Sequence, residues 1–453
     1  MHSRPTQRRI VITGMGIISP LGDSKESLWE HLAGGQSGVV DGYPIFDAPG
    51  INTPYAAVAK DFCGKIDDFG ELEKDQKKMI RKGLKLMSRE TQMGVAAAQF
   101  ALQDAAISPG AHAPERSGCL FGTDYMLTVP EDFVDAIEAC ADTDDPQNQE
   151  HLESEKKQFI FERWGSEGLS QMTPLWLLRY LPNMPASHVA IYNDLRGPNN
   201  SLTMREAAAN MALGEAFVII ERGSADMMLV GATGTRIHPM NAIHALQQEE
   251  VANGEFPASA ASRPFDRDRC GMVLGEGAGA VILEELSVAQ ARGAKIYGEV
   301  VARGSSTGFS EAGVADCQKA LQNALAAVFR SGEIHVDEVG HIHAHGISTR
   351  RGDSEEALAI DAIFGDRSTP PPVMAAKSYF GNLGAGSGMV ELISSLLAID
   401  HAVLPPMMNY ENSAPECPLP GISRDAQSPG TSFVSLSVTP QAQAAAICVR
   451  AVG

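Results

Sequence analysis

No stretch of this chain approaches 18 consecutive apolar residues, so the sequence predicts no transmembrane helix. The basic N-terminus, Met1 to Arg9, runs straight into the strand-like Ile10-Val11-Ile12-Thr13-Gly14, without an apolar helical stretch or a small-residue cleavage site. No signal peptide is expected, and the location read from the sequence is cytoplasmic. Paired cysteines are also missing. Cys63, Cys119, Cys140, Cys270, Cys317, Cys417 and Cys448 are scattered, with no Cys-x-x-Cys pair and no His-rich spacing. That argues against a zinc site and against a disulfide framework, and no metal or cofactor is expected. Cys119 and Cys448 lie in apolar runs and read as buried hydrophobes. Positive charge is scarce: 36 Lys and Arg stand against 56 Asp and Glu, a formal charge of −20. Such a surface favours neither nucleic acid nor an anionic membrane.

What the chain does have is length and alternation. Its 453 residues, 44% hydrophobic, suffice for one large core or two fused halves. Strand-like runs at 9–13, 118–121, 227–230, 279–283, 297–302, 339–343 and 373–375 alternate with helical patterns at 25–33, 88–105, 207–221, 316–329, 354–363 and 388–397. This predicts an α/β fold with largely parallel, buried strands. Two runs, 225–232 and 338–346, share a shape, each an apolar strand ending in small residues. A break near 285–296 divides the chain into halves at 1–290 and 291–453. Residues 140–170 are polar and acidic at their start and read as an inserted cap or as a plain solvated loop and helix.

One basic run interrupts the acidic chain: Lys74, Lys77, Lys78, Arg81, Lys82, Lys85 and Arg89. It reads either as a solvated helix face or as a docking patch for an acidic partner. The apolar cluster from Met172 to Pro185, with Trp176 and Tyr180, reads as ordinary core or as a pocket wall.

Several motifs follow one another in a fixed order. The first is Arg9-Ile10-Val11-Ile12-Thr13-Gly14-Met15-Gly16, with Trp29 and Gly34–Gly38 after it. Gly197-Pro198 leads through a short strand to Arg205-Glu206-Ala207 at a helix start. Then come Arg263-Pro264-Phe265-Asp266, Gly275-Glu276-Gly277, His345-Gly346-Ile347-Ser348-Thr349 with Asp353 and Glu356, and Lys377-Ser378-Tyr379-Phe380-Gly381-Asn382. Together they resemble the β-ketoacyl-ACP synthases over nearly the whole chain. The resemblance implies a thiolase-like fold, two fused βαβαβαββ halves forming a five-layered αβαβα core, and a homodimer or a heterodimer with an active ketosynthase. It also implies an acyl carrier protein as partner, for which Lys77, Lys78, Arg81, Lys82 and Lys85 are the candidate patch.

By the same resemblance Glu206 stands where the family has its cysteine, His345 at the first catalytic histidine, and Asn382 at the second. Lys377 and Glu356 fall at the supporting lysine and glutamate, read as a pair. The family's glycine-rich gate falls near 436–444, which holds no glycine. Condensation needs a soft nucleophile of depressed pKa at a helix start, and imidazoles that stabilise an enolate. A carboxylate cannot carry an acyl group as a stable thioester. The chain therefore resembles the chain-length factors, although those usually carry glutamine here. Glu206 reads as a structural stand-in that caps the helix, or as a general base working with His345. His345 itself reads as a catalytic remnant or as a satisfied buried histidine.

Overall fold

The computed structural model describes residues 8–43, 53–107, 110–141, 158–331 and 334–452. The core of the acidic excursion, 142–157, lies outside them.

Among the described residues, twelve strands build the sheet system: β1 (Ile10–Ile18), β2 (Val39–Asp41), β3 (Tyr55–Ala57), β4 (Ser117–Thr123), β5 (Asn199–Thr203), β6 (Met227–Thr235), β7 (Leu274–Glu285), β8 (Gly298–Thr307), β9 (His341–His343), β10 (Val373–Met374), β11 (Ser432–Val438) and β12 (Gln443–Arg450). Ten follow one path, β10-β9-β11-β12-β8-β1-β7-β6-β4-β5. Numbered within its own half, each side of the β1–β8 seam has the order 3-2-4-5-1. The repeat that is faint in the residues is thus explicit in the topology. Along this path the two sides join where Ile10–Ile12 meet Gly298–Val300.

The expectation of largely parallel strands needs correcting. β4 runs parallel to β5 and β6, and β9 to β10 and β11, but every pairing along the path from β6 through β7, β1, β8 and β12 to β11 is antiparallel. The sheet is mixed because each half ends by folding its last strand back, most tightly in the β11–β12 hairpin.

Two helices, Ala208–Glu221 and Ser387–Asp400, lie between the two sides of the sheet. Both are apolar on nearly all faces, as a helix packed on every side must be; Ser387–Ala398 is buried throughout. Outer helices cover the other faces, Arg89–Asp104 over β1, β6 and β7, and Cys317–Arg330 over β8 and β12. The result is the layered thiolase-like ketosynthase arrangement. Close approach sets the depth of the central layer. A Cβ at Gly122 would lie 2.7 Å from the Ala208 carbonyl carbon, and one at Gly388 would lie 3.0 Å from Ala209 Cβ. These glycines bring β4 and both central helices together at Glu206. Among the described residues, no helix is long and apolar enough to cross a membrane.

Candidate active site

The site lies at the carboxyl ends of parallel strands, where open α/β sheets present their loops. β5 ends at Thr203, and the Met204 N–H donates to Thr123 O at 3.2 Å. Arg205 then takes φ +50°, a left-handed conformation that costs a non-glycine residue about 1 kcal/mol or more. This turn carries Glu206 inward at the head of the helix that begins at Ala208.

The Glu206 side chain is fully buried. Its Oε1 accepts from the Arg236 guanidinium and, at 3.1 Å, from Asn382 Nδ2. Arg205 Nε lies 3.5 Å from the other oxygen. Burial pushes the carboxyl up, but Arg236 and Arg205 outweigh it and hold Glu206 well below the usual carboxylate range. The side chain makes no capping bond to the helix, so the capping role read from the sequence is replaced by an ion pair.

Arg236 follows β6 and is buried; its guanidinium also lies 3.7 Å from Asp124 and 3.8 Å from Glu249. Arg205 pairs with Glu249 and donates at 3.3 Å to Gln441 Oε1. Burial, reinforced by Glu206, pushes the Asp124 and Glu249 carboxyls up. Three carboxyl groups therefore surround two guanidiniums in one cluster.

The second half contributes the opposite wall. The His345 and Gly346 N–H groups donate to the two oxygens of Glu356 at 2.6 and 2.8 Å. Burial pushes that carboxyl up to about 8 against both donors. Asp353 accepts from the N–H groups of Phe265, Ile347 and Ser348 at 2.7, 2.9 and 3.0 Å, fixing the loop after His345. Lys377 Nζ donates to His345 O at 2.7 Å and meets His345 Nδ1 at 3.2 Å. An ammonium can only donate, so Nδ1 accepts and the ring proton sits on Nε2. Burial and Lys377 keep His345 neutral, its pKa well below the usual histidine value.

The expected Lys377–Glu356 pair does not form; Lys377 pairs with Glu391 of the second central helix. Asn382 Oδ1 accepts from the Gly384 N–H at 3.0 Å and Ser387 Oγ at 3.2 Å, which orients its amide nitrogen toward Glu206. Residues 439–442, inside the expected gate, form the β11–β12 turn, with Ala442 at φ +59°.

Glu206, His345, Lys377, Asn382 and Glu356 thus come together, while Asp124, Arg205, Arg236, Glu249 and Glu391 were missed. One signal was available. Arg236 is a lone charge after the small-residue run Gly231-Ala232-Thr233-Gly234-Thr235. His341, His343 and His345 show the strand period of two, and the first two are bridged by Ser395 Oγ at 3.0 and 2.7 Å.

The basic helix Lys74–Gly83 leaves Lys74, Lys78, Arg81 and Lys82 exposed, with Lys85 just beyond it, while Lys77 meets Asp67 at 2.7 Å. Arg89 does not belong to that face, because it turns inward to Glu276 at 2.7 Å. The Met172 cluster is not ordinary core throughout: Met172 and Tyr180 are buried, but Leu175 and Leu177 are exposed.

Residues 7–289 match the family described as beta-ketoacyl synthase, N-terminal domain, and 297–411 match its C-terminal domain. The 3-oxoacyl-[acyl-carrier-protein] synthase 2 of Synechocystis is 33% identical over 426 residues, covering 92% of each chain. The Staphylococcus aureus (strain COL) protein of that name is 30% identical over 93% of this chain and 92% of its own. Among solved structures, a beta-ketoacyl synthase from Burkholderia phymatum (TM-score 0.81, 24% identity, 98% and 100% coverage) and the ishigamide ketosynthase/chain length factor (0.80, 24%, 99% and 100%) share the fold. The chain belongs to the β-ketoacyl synthase family.

Proposed function

We propose that the chain is a non-condensing ketosynthase of fatty acid or polyketide biosynthesis, acting as a chain-length-factor-like partner of a cysteine-bearing ketosynthase. One observation carries this reading: Glu206, which by the resemblance stands where the family has its cysteine, is a carboxylate locked by a buried guanidinium. Such a group neither forms a thioester nor turns toward a substrate. In the family's manner, acyl carrier protein would dock on Lys77, Lys78, Arg81, Lys82 and Lys85. The test incubates the purified chain with acyl- and malonyl-carrier protein. Intact-mass spectrometry is expected to find no acyl adduct and no condensed product, and adding a cysteine-bearing synthase is expected to change the product length of that synthase. A condensed product from the chain alone would overturn the proposal.

A second reading rests on His345. Its Nε2–H is a neutral donor, the type of group that steadies an enolate when malonyl loses CO2. On that reading Glu206 and His345 support decarboxylation, hydrolysis or acyl transfer. Release of CO2 from malonyl-carrier protein, abolished by His345→Ala, would favour it.

A further inference from the structure

A buried polar seam runs between β9 and the central helix Ser387–Asp400, and the site described above uses one end of it. His341, His343 and His345 alternate along the strand and its continuation, and all three are buried. On the helix, Glu391 and Ser395 are one turn apart and share a face. Glu391 meets Lys377, which seats His345, while Ser395 meets the other two histidines.

Donor and acceptor chemistry orders the rest of the seam. The Ala376 N–H donates to His343 Nε2 at 3.2 Å, so that nitrogen is an acceptor and the ring proton sits on Nδ1. Nδ1 donates to Ser395 Oγ at 2.7 Å. Pro429 O, 2.7 Å from His341 Nδ1, can only accept, so that nitrogen carries the His341 proton. His341 Nε2 then accepts from the Ser395 hydroxyl at 3.0 Å. Four bonds thus run one way, from Ala376 to Pro429, with one proton in each. Both rings are neutral, because burial lowers His341 to about 4 and His343 well below the usual histidine value. The His341 ring also stacks on Phe433, with centroids 5.2 Å apart. A fully satisfied buried chain of this kind holds its members in one arrangement.

The chain starts next to Lys377. Ala376 precedes it, and the Lys377 ammonium is what keeps a proton off His345 Nδ1. Without an acceptor at His343, the Ala376 N–H is left buried and unpaired, a cost that a shift of the 376–377 backbone relieves. Such a shift draws Nζ away from His345. We infer that His343 is a positioning residue: through the Ala376 N–H it seats Lys377, and through Lys377 it fixes the His345 proton on Nε2. Ser395 and His341 hold the tautomer of His343 itself. The inference deepens the second reading above, on which the His345 Nε2–H acts on malonyl.

The test reads the tautomer directly. Nuclear magnetic resonance of the full chain with nitrogen-labelled histidine distinguishes the protonated ring nitrogen of His345 from the free one, and His345→Ala assigns the signals. The native protein is expected to show Nε2–H alone. His343→Leu is expected to give both tautomers. His343→Gln puts an amide oxygen near the place of Nε2, where it can accept from Ala376, and is expected to restore Nε2–H alone. Ser395→Ala cuts the chain with little change of shape and is also expected to give both tautomers. A single Nε2–H tautomer in His343→Leu, or in Ser395→Ala should His343→Leu not fold, would overturn the inference. Both tautomers in His343→Gln would mark a general loss of order and would overturn it too. Release of CO2 from malonyl-carrier protein is a separate readout. A rate that falls up to about a hundredfold in His343→Leu and returns in His343→Gln would support the inference and the second reading together. A tautomer that shifts in a protein releasing no CO2 would leave the positioning role standing and remove the second reading.

Discussion

Replacing Arg236 by leucine removes the principal counter-charge of Glu206 while leaving the carboxyl where it is. Removing one partner of a buried ion pair costs about 3–5 kcal/mol, because the other charge stays desolvated. Here two contacts survive, Arg205 at 3.5 Å and the Asn382 amide at 3.1 Å, so the loss is expected near about 3 kcal/mol. The pH dependence gives the sharper test. In the native protein the Glu206 carboxyl is depressed, so its contribution is present above the ordinary carboxylate value and is lost as pH falls through the folded value. In Arg236→Leu burial dominates and the carboxyl rises. The deficit of the variant is then largest near neutral pH and shrinks as pH falls toward about 4.5. Urea unfolding of both proteins from pH 8 to pH 4.5 measures it. Adding Glu206→Gln to Arg236→Leu is expected to be sub-additive by about 2 kcal/mol. A deficit below about 1 kcal/mol that does not change with pH would refute the pairing as the organising contact of the site.

The other expectations are briefer. Lys377→Met strands the fully buried Glu391 and is expected to cost about 3–5 kcal/mol, most of it recovered by Lys377→Met with Glu391→Gln, as thermal melts of the three proteins will show. Glu206→Cys places a thiol between two guanidiniums at a helix start. It is expected to form an acyl adduct detectable by intact mass, yet to condense at least about a hundredfold more slowly than a cysteine-bearing synthase, because Asn382 cannot replace an imidazole. Burial pushes the Glu284 carboxyl up, but His112 at 3.3 Å and bonds from Arg292 and Thr13 outweigh it and hold it at about 2. The stability this provides above the ordinary carboxylate value disappears as pH falls to about 2, and Glu284→Gln is expected to flatten that slope in acid titrations of folding.

Helices were legible because their signals are local. Ser24 accepts from the Ser27 N–H before Lys25–Ala33, and Ser88 from the Thr91 N–H before Arg89–Asp104. Strand direction was not, since parallel and antiparallel partners bury the same residue types. The β11–β12 hairpin hid for a different reason. Its turn sets Ala442 at positive φ, where a glycine would have announced it. The second-half site was readable because His345, Glu356, Lys377 and Asn382 each stand in a motif that carries the resemblance. The ion pair was not, because Arg236 stands in none of those motifs and the β5-β4-β6 adjacency is what brings it to Glu206.

That pair also bears on which chemistry is left to the site. A base must take a proton near neutral pH, and a carboxyl held far below its ordinary value is a weak one. A nucleophile must present a lone pair, and Oε1 of Glu206 already accepts from Arg236 and Asn382. Of the groups expected to face a substrate, the His345 Nε2–H keeps its chemical character, with Lys377 and Glu356 holding it in place. Decarboxylation by that group alone would require malonyl to bring its own carboxylate into the pocket. There it would meet Glu206, the carboxylate that Arg236 and Arg205 already hold. Like charge at such distances disfavours entry in a low-dielectric interior. On the proposed reading, the residues that stand in for the nucleophile would also discourage the substrate, which is why the proposal puts a partner's role before residual catalysis.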